Sequence, residues 1–368
     1  GVMTNGATYT NGTLDLDGSG TTLTVSANGT LSAPRGNLDL NDDLLINGTF
    51  IHNNGKVRAV SASAESMQIN AGTTNKPITF YNLEANTGFV IFRGADVTYT
   101  VENILSATTR FAQIRPLDGN VSLQLGTTSS AGGLTGNAIQ FTSNGTNFAE
   151  IKAASSLYPW TAATAPDFDS GGSGSKVRIA DCDMDPDITT GGGGVTITLT
   201  GDCEFDAVTV SSGDTLDLNG QRMECSGLLD INGAFKDTTT TGASLIVAEG
   251  WNTAGSSGNN TETTAGDRLN LILNNTGSDD ANMFYSASGI YYDNIFVNGG
   301  EFTSYAGFGN QHTENFRIGS TFDVDHGWEM KNLTVCTGGT LDAGSQTLNC
   351  SGDFTTSGGL IGKSAVVF

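Results

Sequence analysis

Residues Val208–Gly227 read VTVSSGDTLDLNGQRMECSG, and residues Leu333–Gly352 read LTVCTGGTLDAGSQTLNCSG. Aligned without a gap at an offset of 125, the two stretches are identical at 10 of 20 positions. Within each stretch apolar and polar residues alternate, which is the period of a β-strand, and glycine-containing turns separate the alternating runs. A stretch that recurs as a whole in this form predicts a repeated strand–turn unit.

Shorter spacings indicate the length of one structural repeat. Cys182, Cys203 and Cys225 lie 21 and 22 residues apart, and each follows an acidic residue. A chain that returns to the same place every ~17–22 residues predicts an all-β parallel β-helix, or β-solenoid, whose successive turns stack like residues about 4.8 Å apart. Antiparallel sandwiches or barrels show the same alternation and are the alternative.

Asparagines recur with matching spacings. Two groups of three share the spacings 21 and 17, and each member precedes an apolar residue: Asn82, Asn103 and Asn120, then Asn294, Asn315 and Asn332. In a stack of parallel turns, such side chains can hydrogen-bond one another along the stack. We therefore expect Asn82, Asn103, Asn294, Asn315 and Asn332 to have a structural role.

Changes in composition divide the chain into five segments. We expect an N-terminal β-solenoid over 1–134, a Gly/Ser/Ala-rich insertion or linker over 135–178, solenoid turns with a cysteine ladder over 179–235, a second loop-rich insertion over 236–290, and C-terminal solenoid turns over 291–368. The two insertions are predicted because the alternating pattern is interrupted there by runs of small polar residues.

The charge balance excludes several classes of protein. The chain of 368 residues has 16 Lys and Arg against 38 Asp and Glu, a formal net charge of −22. A nucleic-acid-binding protein needs a basic face, and anionic lipid repels an acidic chain. No apolar run is long enough for a membrane helix, so we expect no membrane insertion.

With 37% hydrophobic residues and 18 Phe, the chain has enough apolar side chains for a hydrophobic core.

A run of alternating aspartates is the candidate metal site. Asp181, Asp183, Asp185 and Asp187 occupy every second position, and on a strand they would share one face. A hard cation such as Ca²⁺ would relieve their mutual repulsion. The alternative is a solvated acidic edge that discourages pairing with another strand. Calcium is the one cofactor that this sequence suggests.

The cysteines leave two interpretations open. The chain has five cysteines, with no Cys-x-x-Cys pair and no zinc-finger spacing. Cysteines on adjacent turns could be close enough for a disulfide. They could equally be reduced, buried residues that fill the interior, and we expect Cys182, Cys203 and Cys225 to be structural in this sense.

Aromatic residues are concentrated near the C-terminus. Four of them are candidates for stacking on sugar rings or for contact with a protein partner: Tyr291, Tyr292, Tyr305 and Trp328. Asp323 and Asp325 precede Trp328 and could form a sugar-cleaving carboxylate pair. An ordinary strand and turn is the alternative for this segment. No nucleophile elbow, phosphate-binding loop or dinucleotide-binding motif is present, so we assign no catalytic residue.

Short motifs carry a resemblance to a group of proteins. Phe80–Leu83 reads FYNL, Lys331–Val335 reads KNLTV, and Gly338–Leu341 reads GGTL, followed by Gly352–Phe354. This repeat style resembles that of parallel β-helix proteins on phage particles and bacterial surfaces. The resemblance implies a right-handed solenoid that serves as a fibre, spike or capsid-associated part, often in an oligomer. The catalytic motifs of pectin-degrading β-helical enzymes are missing.

These observations favour a non-enzymatic structural protein of a virus particle, such as a phage fibre, spike or surface-decorating component. We expect it at the virion surface or in an extracellular location, as a homo-oligomer or with other virion subunits, and in contact with host surface glycans. A bacterial cell-surface adhesin or extracellular fibre protein is the alternative. A tailspike-like polysaccharide depolymerase, a hydrolase or lyase, is the third hypothesis.

Overall fold

A computed structural model gives the fold of the chain. It describes residues 7–10, 12–16, 22–61, 66–70, 76–136, 139–142, 145–168, 174–238, 244–253, 269–275, 283–285, 291–304, 312–324, 328–357, 359–361 and 365–367. Statements about structure below concern these residues.

The described residues form short strands joined by turns, and no helix occurs among them. They accordingly contain no helical segment of the length and apolar character needed to cross a membrane. In chain order the strands are β1 (Ala7–Thr10), β2 (Thr13–Leu16), β3 (Leu23–Val25), β4 (Thr30–Ser32), β5 (Asn37–Leu40), β6 (Leu44–Ile46), β7 (Thr49–Ile51), β8 (Lys56–Ala59), β9 (Ser66–Ile69), β10 (Thr79–Ala85), β11 (Phe89–Phe92), β12 (Val97–Ala107), β13 (Ala112–Ile114), β14 (Val121–Leu125), β15 (Gly133–Gly136), β16 (Ile139–Phe141), β17 (Phe148–Ala153), β18 (Trp160–Ala162), β19 (Lys176–Ala180), β20 (Cys182–Met184), β21 (Ile188–Thr189), β22 (Thr196–Leu199), β23 (Cys203–Phe205), β24 (Val208–Val210), β25 (Thr215–Asp217), β26 (Arg222–Ile231), β27 (Ala234–Lys236), β28 (Leu245–Asn252), β29 (Leu269–Asn274), β30 (Met283–Tyr285), β31 (Tyr291–Gly299), β32 (Glu301–Ser304), β33 (His312–Ile318), β34 (Thr321–Val324), β35 (Trp328–Val335), β36 (Thr340–Asp342), β37 (Thr347–Cys350), β38 (Phe354–Thr356), β39 (Gly359–Ile361) and β40 (Ala365–Val367).

Parallel strands stack as a β-solenoid of about 12 turns in all, as the repeats predict. The chain divides into two compact units. Unit 1 comprises residues 1–186 and 193–197, and unit 2 comprises residues 187–192 and 198–368.

Unit 1 has a separate parallel sheet on one of its faces. There β3, β6, β9, β11, β13 and β16 lie side by side in that order. Another face stacks β2, β5, β8, β10, β12, β15 and β18. The strand β12 bends and serves two faces, since its first half pairs with β14 and its second half with β15. At the N-terminal edge, β1 turns back and pairs antiparallel with β2.

Unit 2 has one long parallel stack at its centre. The strands β26, β28, β29, β31, β33 and β35 follow one another in this stack. A second stack runs through β30, β32, β34, β36 and β39. Both stacks keep each residue beside its counterpart in the next turn, which aligns side chains into columns.

The two similar stretches of sequence each form three strands with the same turns. The second and third strands start at matching positions, 215 and 340, and 222 and 347. The first strand starts at Val208 in one stretch, whereas in the other it already starts at Trp328, five residues before the stretch begins. Gly213 and Gly338 take positive φ angles of 93° and 84° in the first turn, where a residue with a β carbon would be strained. In the second turn Asn219 and Gly344 take φ angles of 48° and 52°. The shared glycine thus takes the same conformation in the first corner, and Asn219 and Gly344, two residue types that tolerate positive φ, do so in the second. The recurrence of both corners confirms the predicted strand–turn unit.

Apolar columns fill the interior of both units. In unit 1 the column Leu38, Val57, Leu83, Leu105 and Leu134 is buried on successive turns. In unit 2 the corresponding interior column is Met223, Ile246, Leu271, Ile295, Phe316 and Leu333. Burying a side chain of this size stabilises the fold by about 1.5–3 kcal/mol, so the columns dominate cohesion between turns.

The length of a turn varies more than the sequence suggests. Paired residues are separated by 17 residues between Phe316 and Leu333, and by 29 residues between Leu105 and Leu134. The longer turns correct the interpretation of 135–178 as an insertion, because β17 lies in that segment and pairs with β14 and β19. The segment 236–290 likewise contains β28 and β29, which belong to the central stack of unit 2. Both segments therefore contribute strands to the stacks and are not wholly insertions.

Candidate functional site

Four asparagines form a hydrogen-bonded column in unit 2, here called the amide ladder. Its members are Asn270, Asn294, Asn315 and Asn332. The Nδ2 atom of each donates to the Oδ1 atom of the preceding one, at 2.6, 3.1 and 3.0 Å. The spacings of 21 and 17 residues predict the last three members but not Asn270, because the turn between Asn270 and Asn294 is 24 residues long.

The amide ladder continues into backbone at both ends. Asn270 Nδ2 donates to the carbonyl of Ser244 at 3.3 Å, and the backbone N–H of Asp353 donates to Asn332 Oδ1 at 3.0 Å. The four half-buried amides and the backbone groups at their two ends thus link six turns of the stack. An amide suits this position because it has both a donor and an acceptor, whereas a carboxylate column would repel itself.

A shorter amide pair lies in unit 1. Asn103 Nδ2 donates to Asn82 Oδ1 at 2.9 Å. Asn120, which the spacing grouped with these two residues, instead bonds Asp96 through its Nδ2 atom at 2.8 Å. Asn120 lies before β14, on a different face of the solenoid from Asn103. The equal spacing of the asparagines therefore did not predict which residue Asn120 contacts.

The cysteines form no disulfide, and all five lie within the described residues. In unit 2, Cys203 is opposite Met223 and Cys225 is opposite Phe205. A cysteine ladder therefore does not form between these two residues, because the turn that separates Cys203 from its partner has 20 residues and not 22. Both side chains are buried, and burial raises the pKa of the Cys225 thiol, with a smaller contribution from Asp206.

Cys182 belongs to unit 1 and packs in its interior. It lies opposite Trp160 on the preceding turn and is buried. Trp160 is itself buried, and its indole N–H donates to the carbonyl of Ala180 at 3.1 Å. At this position Cys182 is a small interior side chain beside a large one.

The aspartate run does not lie on one strand. The strand β20 ends at Met184, so that Asp183 is within it while Asp185 and Asp187 follow it. Asp181 precedes the strand at a bend with a φ angle of 53°. In the part of the chain that the structure describes, no group of three or more His, Cys, Asp or Glu side chains is placed to hold a metal ion. Calcium at this run stays a prediction without support from the geometry.

Two of the four candidate aromatic residues are buried and cannot stack on an external ligand. Tyr292 is 2% exposed, and its ring lies 6.3 Å from that of Trp251 in an edge-to-face contact. Trp328 is 5% exposed and stacks on Phe316 at 5.5 Å. Both belong to the interior of unit 2, which corrects the expectation that they bind glycans.

The remaining candidates near the C-terminus lie partly outside the described residues. This is the case for Tyr305, for the side chain of Tyr291, and for Asp325. Asp323 lies in β34 opposite Thr303 and Asp342 of the adjacent turns. Because Trp328 is buried, the predicted combination of an exposed tryptophan with Asp323 does not form a sugar-cleaving site.

Charged pairs on the outward side of the strands link adjacent turns in unit 1. The Arg58 guanidinium bonds both oxygens of the buried Asp39 carboxylate, with a distance of 2.7 Å from Nε to Oδ1. The hydrogen bond to Asp39 raises the pKa of Arg58. Lys56 lies on the same strand as Arg58, and its Nζ lies 2.7 Å from a carboxylate oxygen of Glu84 on the following turn. The two carboxylates are largely buried, whereas Arg58 and Lys56 stay 26% and 39% exposed, so each carboxylate has a cation beside it that remains in contact with water.

A cluster at one corner of unit 1 was not found from the sequence. The rings of His52 and Tyr81 stack at 6.0 Å with an interplanar angle of 16°. The Nδ1 atom of His52 accepts the backbone N–H of Asn54 at 3.0 Å, and its Nε2 atom lies 3.5 Å from a carboxylate oxygen of Glu102. The spacings of 29 and 21 residues between these side chains are unequal, so no periodic signal marked them.

The chain matches no protein-family model, no curated protein and no solved structure. What it does is therefore inferred from its own residues. Among the described residues, two arrangements of polar side chains stand out: the amide ladder, which joins turns of unit 2, and the corner of unit 1 with His52, Tyr81 and Glu102. The first is suited to mechanical cohesion, and the second presents rings and polar groups to solvent.

Proposed function

We propose that this chain is a structural protein of a virus particle, a fibre, spike or surface-decorating component that assembles with other subunits at the virion surface. The amide ladder is the observation that carries the proposal. It adds three side-chain bonds to turns whose backbones are already paired, and so resists the separation of neighbouring turns. Such cohesion suits a component that is exposed outside a cell. The resemblance of the repeat style to β-helix proteins of phage particles directs the proposal to a virion.

An outward apolar column in unit 2 supports assembly with other copies. Val247, Ile272 and Phe296 lie beside one another on β28, β29 and β31 and are half-buried. Their neighbours along each strand point into the core, so the three side chains face outward. Outward positions of a solvent-facing sheet are normally polar. Lateral contact with a second copy would remove this column from water.

The test of the proposed function is the location of the native protein. Antibodies raised against the purified chain would be used for immunogold labelling and cryo-electron microscopy of the native source material. We expect the label on repeated positions at the surface of virus particles. Label on the bacterial cell surface would refute the virion role in favour of an adhesin or fibre. Label confined to a soluble fraction would refute both.

The assembly is tested separately by light scattering coupled to size-exclusion chromatography. We expect an oligomer for the native chain and a shift towards monomer for Ile272→Glu, because a charge in a dry contact is costly. Thr334→Glu is the matched control, since Thr334 faces outward in the same column away from the apolar positions. A monomeric native chain at all concentrations would contradict self-assembly.

A further inference from the structure

The exposed large apolar side chains among the described residues all belong to unit 1. There are five of them: Ile51, Ile104, Leu117, Leu157 and Tyr158. All except Leu117 lie along a single corner of unit 1, where the chain passes from one face of the solenoid to the next. We call this the unit 1 corner and define it as residues 51–54, 81–82, 102–104, 126–132 and 154–159.

Strand pairing shows that these segments lie on successive turns. Each segment ends at the start of a paired stretch, and those stretches align Lys56 with Asn82, Asn82 with Ile104, Ile104 with Gly133, and Gly133 with Thr161. The unit 1 corner is therefore a continuous strip parallel to the axis of unit 1. The segment with Tyr81 and the segment with Tyr158 are three turns apart, or about 14 Å at the usual spacing of paired strands.

One end of the strip is an aromatic platform with polar groups around it. His52 and Tyr81 stack there, and Glu102 lies beside His52. Asn82 and Asn103 hydrogen-bond each other on the same two turns. The side chains of His52 and Glu102 keep 22% and 31% of their surface exposed, so a ligand can reach them.

The other end of the strip is a second aromatic position. The turn 154–159 holds Leu157 at 81% exposure and Tyr158 at 38%. Its shape is fixed by the hydrogen bond from the Tyr158 backbone N–H to the carbonyl of Ser155, at 2.9 Å. Between the two ends, the turn 126–132 presents hydroxyl groups, with the side chains of Thr127 and Ser130 2.8 Å apart.

We propose that the unit 1 corner binds a linear, uncharged polysaccharide that lies along the solenoid axis. An aromatic ring offers an apolar face to the C–H groups of a sugar ring, and amides, imidazoles and carboxylates bond its hydroxyl groups. The alternation of ring, hydroxyl-rich turn and ring matches a chain of repeated sugar units better than the continuous apolar patch of a protein interface. The net charge of −22 disfavours polyanionic glycans.

This binding goes beyond the structural role proposed above and is measured on the isolated chain, so either proposal can fail without the other. The probes are cello-, xylo-, manno- and chito-oligosaccharides of two to eight sugars, screened on an array and followed by titration calorimetry. We expect at least one series to bind, with an affinity that rises with length until the oligomer spans both aromatic positions. Failure of every series to bind would overturn the proposal.

Three variants locate the site. Tyr81→Ala is expected to weaken binding about tenfold for all lengths, from the loss of one aromatic contact. Tyr158→Ala is expected to do so only for oligomers long enough to reach it, and its exposed position keeps the fold intact. Leu117→Ala is the matched control, because Leu117 is exposed away from the unit 1 corner, and it should change affinity less than twofold.

The remaining outcomes also decide the matter. A Leu117→Ala variant that loses binding as strongly as Tyr158→Ala would place the site elsewhere. Selective binding of sulfated or sialylated glycans added to the same array would refute the uncharged ligand. A change of oligomeric state in Tyr158→Ala, with unchanged sugar binding, would assign the corner to protein contact instead.

Discussion

Asn315 is the residue whose replacement tests the amide ladder most directly. It donates to Asn294 at 3.1 Å and accepts from Asn332 at 3.0 Å. Replacement by Ala removes both bonds, each worth about 1 kcal/mol net, together with a longer bond from Asn315 Nδ2 to the Asp293 carbonyl at 3.4 Å, and leaves two half-buried amide groups without these partners. Since water can reach half-buried groups, we expect a total loss of about 2–3 kcal/mol in the stability of the surrounding turns.

Hydrogen exchange is the appropriate measurement, because stacked repeats open locally and a single unfolding free energy need not describe them. A loss of 2 kcal/mol corresponds to exchange that is about 30-fold faster. We expect this acceleration in β31, β33 and β35, with little change in the strands of unit 1. Peptides from these strands, followed by mass spectrometry, report it directly.

Two further variants separate the hydrogen bonds from other effects. Asn298→Ala removes a single exposed bond, to Asn274 at 3.1 Å, and should cost no more than about 0.5 kcal/mol. Asn315→Asp keeps the shape and the acceptor but loses the donor and places a charge against the Asn294 carbonyl oxygen. We expect it to be about as harmful as Asn315→Ala at neutral pH. If Asn315→Ala accelerates exchange no more than Asn298→Ala, the ladder does not stabilise the stack.

Three other predictions concern packing, thiol reactivity and pH. A β carbon at Gly48 would lie 2.2 Å from a backbone oxygen of the preceding turn, so Gly48→Ala should destabilise the surrounding turns by about 2–4 kcal/mol, seen as faster hydrogen exchange in β4 and β7. At Gly133 a β carbon would meet only ordinary contacts, so Gly133→Ala should cost about 0.5 kcal/mol or less by the same measurement. With a thiol reagent under native conditions, Cys336, which is half-buried, should react first, and Cys225 should react slowly because burial raises its pKa; equal rates for all five cysteines would contradict the structure. Burial raises the pKa of Asp43 above its unfolded value, so ionisation of Asp43 opposes folding once the pH exceeds about 4. Asp43→Asn should therefore raise the midpoint of thermal unfolding at neutral pH. In stronger acid, where Asp43 is protonated in both states, the variant should leave the midpoint unchanged.

The repeating strand–turn unit of the solenoid could be predicted because corners and strands have different sequence patterns: glycines at the corners and alternating apolar and polar residues in the strands. Gly213 and Gly338 take conformations that strain any other residue, and so the repeated stretches kept them. The apolar residues between the corners alternate with polar ones, which fixes their direction. Both patterns involve residues that are close together in the chain, so they can be recognised in one sequence without knowledge of the fold.

The extent of the solenoid was harder to predict because the length of a turn is not constrained by the stack. Residues Phe148–Ala153 read FAEIKA and form β17 in full register with both neighbours. The corners that flank it are long and rich in small polar residues, which is also the composition of a linker. The average composition of residues 135–178 therefore gave no indication that they contain the regular strand β17.

The exposed aromatic residues could not be identified from composition for a related reason. Successive residues of a strand face opposite ways, so that the direction of one ring depends on the register of its strand. Tyr292 aligns with Leu269 of the interior and is buried with it. His52 and Tyr81 meet only because two turns of unequal length bring them to the same corner. Their approach is a long-range property that spacing does not encode.

The corners of unit 1 can change without disturbing its stack. The strand β12 crosses the unit 1 corner without a break, while on the next two turns the chain leaves the sheet there over 126–132 and 154–159. The strands on either side remain aligned, with Leu125 opposite Ala153 and Gly133 opposite Thr161. Added residues at a corner thus alter the surface and leave the interior columns unchanged. In a solenoid of this kind the strands and ladders stabilise the stack. The corners can vary in sequence and length, and they are therefore where a ligand-binding surface can form.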